Sequence, residues 1–154
     1  MGTIVVGVDG SPGSLAALRF ALAEARLRGA AVVALHAWSL PLVEVPGPFL
    51  IEIPGPPAPS LDQVTADLAS DAQECLDRAL QEVASEAEGV EIERRVTEGA
   101  AATVLVEASR GAELLVVGTH GHGRVKGLLL GSVSQECVSH SGCPVVTVPA
   151  PHER

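Results

Sequence analysis

Short apolar segments rich in β-branched residues alternate along this chain with longer stretches of helical periodicity. Three of these segments, the first, second and fourth along the chain, are nearly uninterrupted apolar runs, whereas the third alternates apolar with charged residues. Nearly continuous apolar strands are typical of a parallel sheet that is covered on both faces. The predicted strands are Thr3–Val8, Ala31–Ala37, Val90–Val96, Glu113–Gly118 and Pro144–Pro149.

The stretches between these strands predict helices, because their apolar residues recur every three to four positions. The first helix has Ser11 as its N-cap and Pro12 in its first turn, and it ends at Gly29. A row of acidic residues lies opposite the apolar stripe of the second helix, and we interpret it as a solvated face rather than a metal site. The predicted helices are Ser11–Arg28, Leu61–Ala87, Ala100–Arg110 and Val133–Val138.

This alternation of strands and helices predicts an α/β fold with a doubly wound, five-stranded parallel sheet and helices on both faces. The length of 154 residues is typical of a single domain, over residues 1–154. In such sheets, ligands bind outside the carboxyl ends of the strands, where the strand order reverses. That rule points to Asp9 after the first strand, to Ala37 at the end of the second, and to the loop that begins at Gly118.

One segment, residues 40–60, does not fit the alternation. It is rich in proline, with apolar side chains between the prolines. Proline at this density excludes a helix or a central strand. We interpret the segment as an extended surface loop, and the alternative is a lid or an arm that docks a protein partner.

The chain is acidic, with a formal net charge of −9, and its aromatic residues are Phe20, Trp38 and Phe49 alone. Both features argue against nucleic-acid binding, which needs phosphate-neutralising cations and stacking faces.

The N-terminus lacks the basic-then-apolar pattern of a leader, and no apolar run approaches the roughly 20 residues that span a bilayer. We therefore expect a cytoplasmic protein without a membrane partner. Its three cysteines match no zinc spacing, and we expect them to be reduced.

A glycine-rich loop follows the fourth strand and has the pattern Gly118-x2-Gly121-x9-Gly131-Ser132. A buried strand, a glycine-rich loop and a new helix are together the parts that hold a phosphate with backbone N–H groups. Ser132 is placed to cap that helix. The alternative is an ordinary flexible loop between a strand and a helix. Neither the P-loop motif nor the dinucleotide-binding fingerprint is present in the sequence.

The charge distribution around this loop favours an anion site. No carboxylate occurs between Glu113 and Glu136, and the gap contains Arg124 and Lys126, the only lysine of the chain. An acidic chain that keeps one loop free of negative charge offers an anion a favourable place to bind.

Several histidines look like metal ligands but have simpler interpretations. The pairs His120-x-His122 and His140-x-x-Cys143 each lack further ligands, so we predict no metal site. His36 falls in a predicted buried strand and is interpreted as a structural histidine.

The glycine pattern resembles the nucleotide-binding motif of the universal stress protein family. The resemblance implies a Rossmann-like fold of the adenine nucleotide alpha hydrolase type. Because the full glycine motif is present, it also implies the subgroup that binds ATP. Other segments match the family in the same order along the chain: Val5–Ser11, Leu35–Trp38, Leu128–Ser134 and Cys143–Val148.

Roles for individual residues follow from the resemblance. Asp9 and the backbone of Gly7 and Val8 would line the adenosine pocket, with the carboxylate near the ribose or the adenine. Backbone groups of Ala37 would read the adenine edge, and Val117 would pack on the base.

The resemblance also assigns the phosphate end of the ligand. The motif glycines and Ser132 would wrap the ribose and phosphates, and two backbone amides of the following helix would complete the site. Histidines and an arginine of the loop would lie nearby, and the presence of Mg²⁺ beside the phosphates is left open. The residues concerned are Gly118, His120, Gly121, His122, Arg124, Gly131, Ser132, Val133 and Ser134.

The function that the resemblance implies is an ATP-binding stress-response regulatory protein. ATP would act as a ligand that switches the protein between states, with little or no hydrolysis, because the sequence shows no catalytic residues. Two alternatives remain: a slow nucleotide hydrolase on the same fold, and a dimeric interaction module that works through the dimer and residues 40–60 without nucleotide.

A homodimer is expected through the last strand, Pro144–Pro149. The family resemblance implies this pairing, and an apolar strand at a sheet edge invites pairing with a second copy. The alternative is an edge that the tail Ala150–Arg154 covers.

Overall fold

The computed structural model describes residues 2–40, 54–57, 59–122 and 129–151. Within these ranges, all five predicted strands are present and lie in one parallel sheet. The strands are β1 Thr3–Gly7, β2 Ala31–Trp38, β3 Ile92–Glu98, β4 Leu114–Gly118 and β5 Val145–Val148. The helices are α1 Pro12–Arg28, α2 Leu61–Glu82, α3 Ala101–Ser109 and α4 Ser132–His140.

The strand order of the sheet is β3-β2-β1-β4-β5. The chain winds from β1 towards β2 and β3 on one side, and then returns to β4 and β5 on the other. At the reversal, β1 pairs with both β2 and β4, so the ends of these three strands lie side by side. The predicted doubly wound sheet is confirmed, and so is the position of β5 at an edge.

Helices cover both faces of the sheet, as predicted. Because successive side chains of a strand point to opposite faces, β1 contributes Ile4 and Val6 to one core and Val5 to the other. The first core contains Leu18 of α1 and Leu76 of α2, and the second contains residues of α3 and α4. The sheet is therefore buried on both sides, which explains its nearly continuous apolar strands.

The ends of α1 follow the sequence prediction. The Ser11 hydroxyl accepts a hydrogen bond from the Ser14 N–H at 3.2 Å, Pro12 opens the helix, and Gly29 closes it in the left-handed region with φ of 65°. These are standard helix caps: Ser11 and Pro12 determine where the β1–α1 connection enters the helix, and Gly29 determines where the helix ends.

Some predicted boundaries were wrong by two residues or more, and the end of α2 was wrong by five. α2 ends at Glu82 rather than at residue 87, and the chain continues in turns. The guanidinium of Arg26 donates to the carbonyl oxygens of Glu86 and Glu88 at 2.8 and 2.9 Å, so distant side-chain contacts hold these turns. β3 begins and ends two residues later than predicted, because its pairing with β2 starts at Ile92 and continues to Glu98.

The proline-rich segment lies largely outside the described residues, which omit 41–53 and 58. The predictions of a surface loop, a lid or a docking arm are therefore untested. In the ranges that the structure describes, no helix is long and apolar enough to cross a bilayer.

Candidate functional site

A cavity of about 340 Å³ opens at the carboxyl ends of β1, β2 and β4, where the strand order reverses. Its walls come from the β1–α1 connection, the end of β2, the first turns of α3 and α4, and the segment after β4. The lining residues are Gly7, Val8, Asp9, Ser11, Ser14, Leu35, His36, Ala37, Ala101, Leu105, Val117, Gly118, Thr119, His120, Gly121, His122, Gly131, Ser132, Val133 and Ser134.

Every predicted site residue except Arg124 lies on this cavity wall. Arg124 and Lys126 fall outside the described residues, so their predicted contribution stays a prediction. The structure thus brings together residues from four separate parts of the sequence.

Asp9 projects from the loop after β1 and is held by the first turn of α1. Its Oδ1 accepts hydrogen bonds from the Ser11 hydroxyl and, at 2.9 Å, from the Ser11 N–H. Burial of the carboxyl favours its neutral form. The bonds from Ser11 and the nearby His122 outweigh that effect and hold the pKa of Asp9 below its usual value of 3.8. Asp9 is therefore ionised at neutral pH, with Oδ1 already occupied by two donors.

Two histidines contact the backbone carbonyl groups of the successive residues Val8 and Asp9. His36 Nδ1 lies 2.6 Å from the Val8 carbonyl oxygen, and His122 Nε2 lies 2.6 Å from the Asp9 carbonyl oxygen. Since a carbonyl oxygen can only accept, each of these ring nitrogens carries the proton. The interpretation of His36 as structural fits this bond, but it is only partly buried and lies on the cavity wall.

The start of α4 offers backbone donors to the cavity. Gly131 is the N-cap, and the first hydrogen bond within the helix runs from the Gln135 N–H to the Gly131 carbonyl at 3.0 Å. The amides of Ser132, Val133 and Ser134 precede that bond and have no acceptor among the described residues. Three such amides and the positive end of the helix dipole are suited to an anion.

The prediction that Ser132 caps α4 was wrong. Gly131 takes that position without a side-chain hydrogen bond, and Ser132 is the first helical residue. The hydroxyl of Ser134 donates instead to the carbonyls of Thr119 and Gly131, at 2.9 and 3.0 Å. Because these bonds use the Ser134 side chain for structure, its backbone amide is the group left for a ligand.

The motif glycines allow backbone segments to approach one another closely. A Cβ on Gly118 would lie 2.9 Å from the carbonyl carbon of Gly13 in α1, and one on Gly121 would lie 2.7 Å from Asp9 Oδ2. A Cβ on Gly131 would lie 3.3 Å from the Thr119 carbonyl oxygen. The glycines therefore set the shape of the cavity through contacts within the protein.

Sequence reasoning missed part of the wall. Leu35, Leu105 and Ala101 form an apolar side of the cavity, and no chemical feature of these residues distinguishes them from ordinary core positions. Ala101 and Leu105 could have been placed from topology, because α3 starts at the same edge of the sheet as α4, and Leu35 lies two residues before Ala37 on β2. The other wall residues not assigned to the site from the sequence are Ser11, Ser14, His36 and Thr119.

The thiols lie apart from the cavity wall. Cys137 is buried in the second core, and burial raises the pKa of its thiol to about 11. Cys75 and Cys143 are partly buried, and all three cysteines are free.

The fold and the cavity define a class of protein, the doubly wound α/β proteins with a ligand cleft at the reversal of strand order. Within that class, the sequence pattern of the universal stress protein family matches residues 1–149, and the chain belongs to this family.

The relatives support this assignment. Universal stress protein Rv2005c of Mycobacterium tuberculosis is 36% identical over 143 residues, which are 93% of this chain and 44% of the relative. The chain spans about half the length of the curated relatives it matches.

Two solved structures are similar over nearly their whole length. A universal stress protein in complex with cAMP is 29% identical with a TM-score of 0.69, and the match covers 97% of this chain and 98% of that one. The universal stress protein of Archaeoglobus fulgidus in complex with dAMP is 24% identical with a TM-score of 0.62, over 96% and 98% of the two chains, and it supports the fold alone.

Proposed function

We propose that this protein binds an adenine nucleotide in the cavity at the carboxyl ends of β1, β2 and β4, and that ATP is its regulatory ligand. The observation that carries the proposal is the combination of an apolar pocket with three amides at the start of α4 that have no acceptor in the part of the chain that the structure describes. The relative that was solved with cAMP supports an adenine nucleotide as the class of ligand.

The adenosine would occupy the apolar side of the cavity. Leu35, Leu105 and Val117 provide surfaces for the base, and the backbone at Ala37 provides hydrogen-bonding groups at its edge. The two donors from Ser11 occupy Asp9 Oδ1, so we assign the remaining oxygen, Oδ2, to a ribose hydroxyl rather than to a metal ion.

The phosphates would bind to the amides of Ser132, Val133 and Ser134. Backbone N–H groups at a helix start hold phosphate without a cationic side chain, which suits a chain with a net charge of −9. Asp9 is the one carboxylate among the described residues of the wall, so little negative charge opposes the ligand.

ATP would act by binding two states of the protein unequally, since only a difference in affinity shifts a conformational equilibrium. The described wall offers no nucleophile paired with a general base, and the single carboxylate is already bonded to Ser11. We therefore propose a binding protein rather than an enzyme.

A substitution at Ser132 tests the phosphate site without harming the helix. Ser132→Asp places a carboxylate beside the amides, while acidic residues in a first turn stabilise a helix. We expect ATP affinity to fall roughly tenfold or more, because the carboxylate repels the phosphates. A tenfold loss is on the scale of one hydrogen bond to a charged group. The matched neutral variant, Ser132→Asn, should bind ATP with an affinity within about threefold of that of the original protein.

Isothermal titration with ATP, ADP, AMP and GTP is the measurement, and mass analysis of nucleotide released on denaturation complements it. Equal ATP affinity for Ser132→Asp and Ser132→Asn would refute the phosphate site. Tighter binding of GTP than of ATP would refute the adenine assignment, and tighter binding of AMP would replace ATP as the working ligand.

We also propose that the protein forms a homodimer through β5. The other edge strand, β3, exposes Glu93 and Arg94, charges that discourage pairing. β5 is apolar and carries no such charges along Val145–Val148.

A proline in β5 tests the dimer. The carbonyls of Pro144 and Val148 accept bonds from the N–H groups of Leu115 in β4 and of Thr119 just after it. Because successive residues of a strand alternate in direction, the N–H of Thr147 points away from β4. Thr147→Pro therefore removes a donor from the free edge while the bonds to β4 remain. We expect a folded monomer in sedimentation, and an unchanged dimer would refute pairing through this edge.

A further inference from the structure

Gly13, in the first turn of α1, lies against the segment that follows β4. A Cβ at this position would lie 2.9 Å from the His120 carbonyl oxygen and 3.8 Å from the Cα of Gly118. The contact is reciprocal, because a Cβ on Gly118 would meet the backbone of Gly13 and Ser14 at 2.9 to 3.1 Å. Gly13 lies outside the glycine motif and does not line the cavity.

Both sides of this contact are backbone. A side chain could rotate away from an added methyl group, but the carbonyl of His120 can move only if the chain from Gly118 to Gly121 moves with it. Gly13 is buried, so the added group could not turn towards solvent either.

The segment after β4 is in turn bonded to the start of α4. The Thr119 carbonyl accepts from the Gly131 N–H at 2.7 Å and from the Ser134 hydroxyl at 2.9 Å. The residue next to it, His120, packs on Gly131, where a Cβ would lie 3.5 Å from the His120 Cα. A displacement of residues 119 and 120 would therefore displace the helix start that presents the amides.

We propose that Gly13 is a positioning residue for the phosphate-binding amides of α4. Because Gly13 has no side chain, the segment after β4 lies directly on α1. The hydrogen bonds that the Thr119 carbonyl accepts from Gly131 and Ser134 then fix the start of α4 relative to that segment. This inference rests on the proposed nucleotide site and adds a residue of α1 to the set that determines its phosphate affinity.

The test compares Gly13→Ala with Gly55→Ala, because a Cβ on Gly55 meets no atom of the described residues within 4 Å. Isothermal titration measures the affinity of each variant for AMP and for adenosine, which differ by one phosphate group. We expect Gly13→Ala to lose roughly tenfold in AMP affinity, the scale of one charged hydrogen bond, and clearly less in adenosine affinity. Gly55→Ala should match the original protein with both ligands.

Other outcomes would overturn the inference. Where space allows, replacing a helical glycine by alanine stabilises a protein, so a more stable Gly13→Ala with unchanged AMP affinity would show that the contact positions nothing. Equal losses for AMP and adenosine would show a general structural defect instead.

A second variant keeps the inference testable if Gly13→Ala does not fold. Ser134→Ala removes the hydroxyl that joins α4 to Thr119 without adding volume, and it should also weaken AMP more than adenosine. An unchanged ratio of AMP affinity to adenosine affinity would refute the role of the hydrogen bond between Ser134 and Thr119. If the original protein binds no AMP, the proposed function fails. Hydrogen exchange of the backbone amides then tests the positioning role of Gly13 by itself. We expect faster exchange at residues 118–122 in Gly13→Ala, and unchanged exchange would overturn the inference.

Discussion

The ionised carboxylate of Asp9 should stabilise the folded protein even without a ligand. Replacing Asp9 by Asn keeps an oxygen acceptor but removes the charge. Oδ1 accepts two hydrogen bonds from Ser11, and a bond to a charged acceptor is worth about 1 kcal/mol more than a neutral one. Because Asp9 is only partly buried, solvent screening reduces the total. We expect the free energy of unfolding at pH 7 to fall by about 1–2 kcal/mol.

The pH dependence gives the sharper result. The pKa of Asp9 is lower in the folded protein than its usual value of 3.8, so the carboxylate contributes its full stability above about pH 4. As the pH falls through the folded pKa, the group is protonated in both states and the contribution disappears. The difference between the original protein and Asp9→Asn should therefore be constant from neutral pH down to mild acid and then shrink below pH 3.8.

Urea unfolding of the nucleotide-free protein, followed by circular dichroism over a series of pH values, measures this difference. Asp67→Asn is the matched control, because it removes one negative charge from an exposed position on α2. A loss of stability in the control equal to that of Asp9→Asn would attribute the effect to net charge. A difference that persists unchanged below the folded pKa would refute the role of the Ser11 bonds.

Two further predictions concern the core. Leu76→Ala should lower the free energy of unfolding by about 2–5 kcal/mol, because its side chain is fully buried between α2 and the sheet; a loss below about 1 kcal/mol in urea unfolding would show that the site collapses around the gap. Cys137, whose buried thiol has a pKa raised to about 11, should resist a thiol reagent at pH 8 until urea unfolds the protein. Rapid labelling of Cys137 in the folded protein, read by peptide mass, would contradict its place in the second core.

Much of the fold could be predicted because its signals are local. The apolar runs of β1, β2 and β4 and the caps of α1 at Ser11 and Gly29 are determined by neighbouring residues. The end of α2 could not be, because the turns after Glu82 are held by Arg26, whose contacts are distant in sequence.

The candidate site likewise has some features that could be predicted from the sequence and others that depend on contacts between distant residues. Asp9, Ala37 and the glycine loop follow from the rule that ligands bind at the carboxyl ends of strands. The capping of α4 was mispredicted, since the Ser134 hydroxyl bonds to Thr119, a contact that depends on how the loop folds. Gly13 could not be assigned from the sequence, because its reason for being glycine lies in the segment after β4.

The central claim is that the first amides of α4 bind the phosphate of an adenine nucleotide. Nuclear magnetic resonance of the ¹⁵N-labelled protein tests it most directly, by comparing amide shifts on saturation with AMP and with adenosine. We predict that both ligands shift the amides of Ala37 and Val117, and that AMP alone shifts those of Ser132, Val133 and Ser134. AMP binding that leaves these three amides where adenosine leaves them would contradict the account.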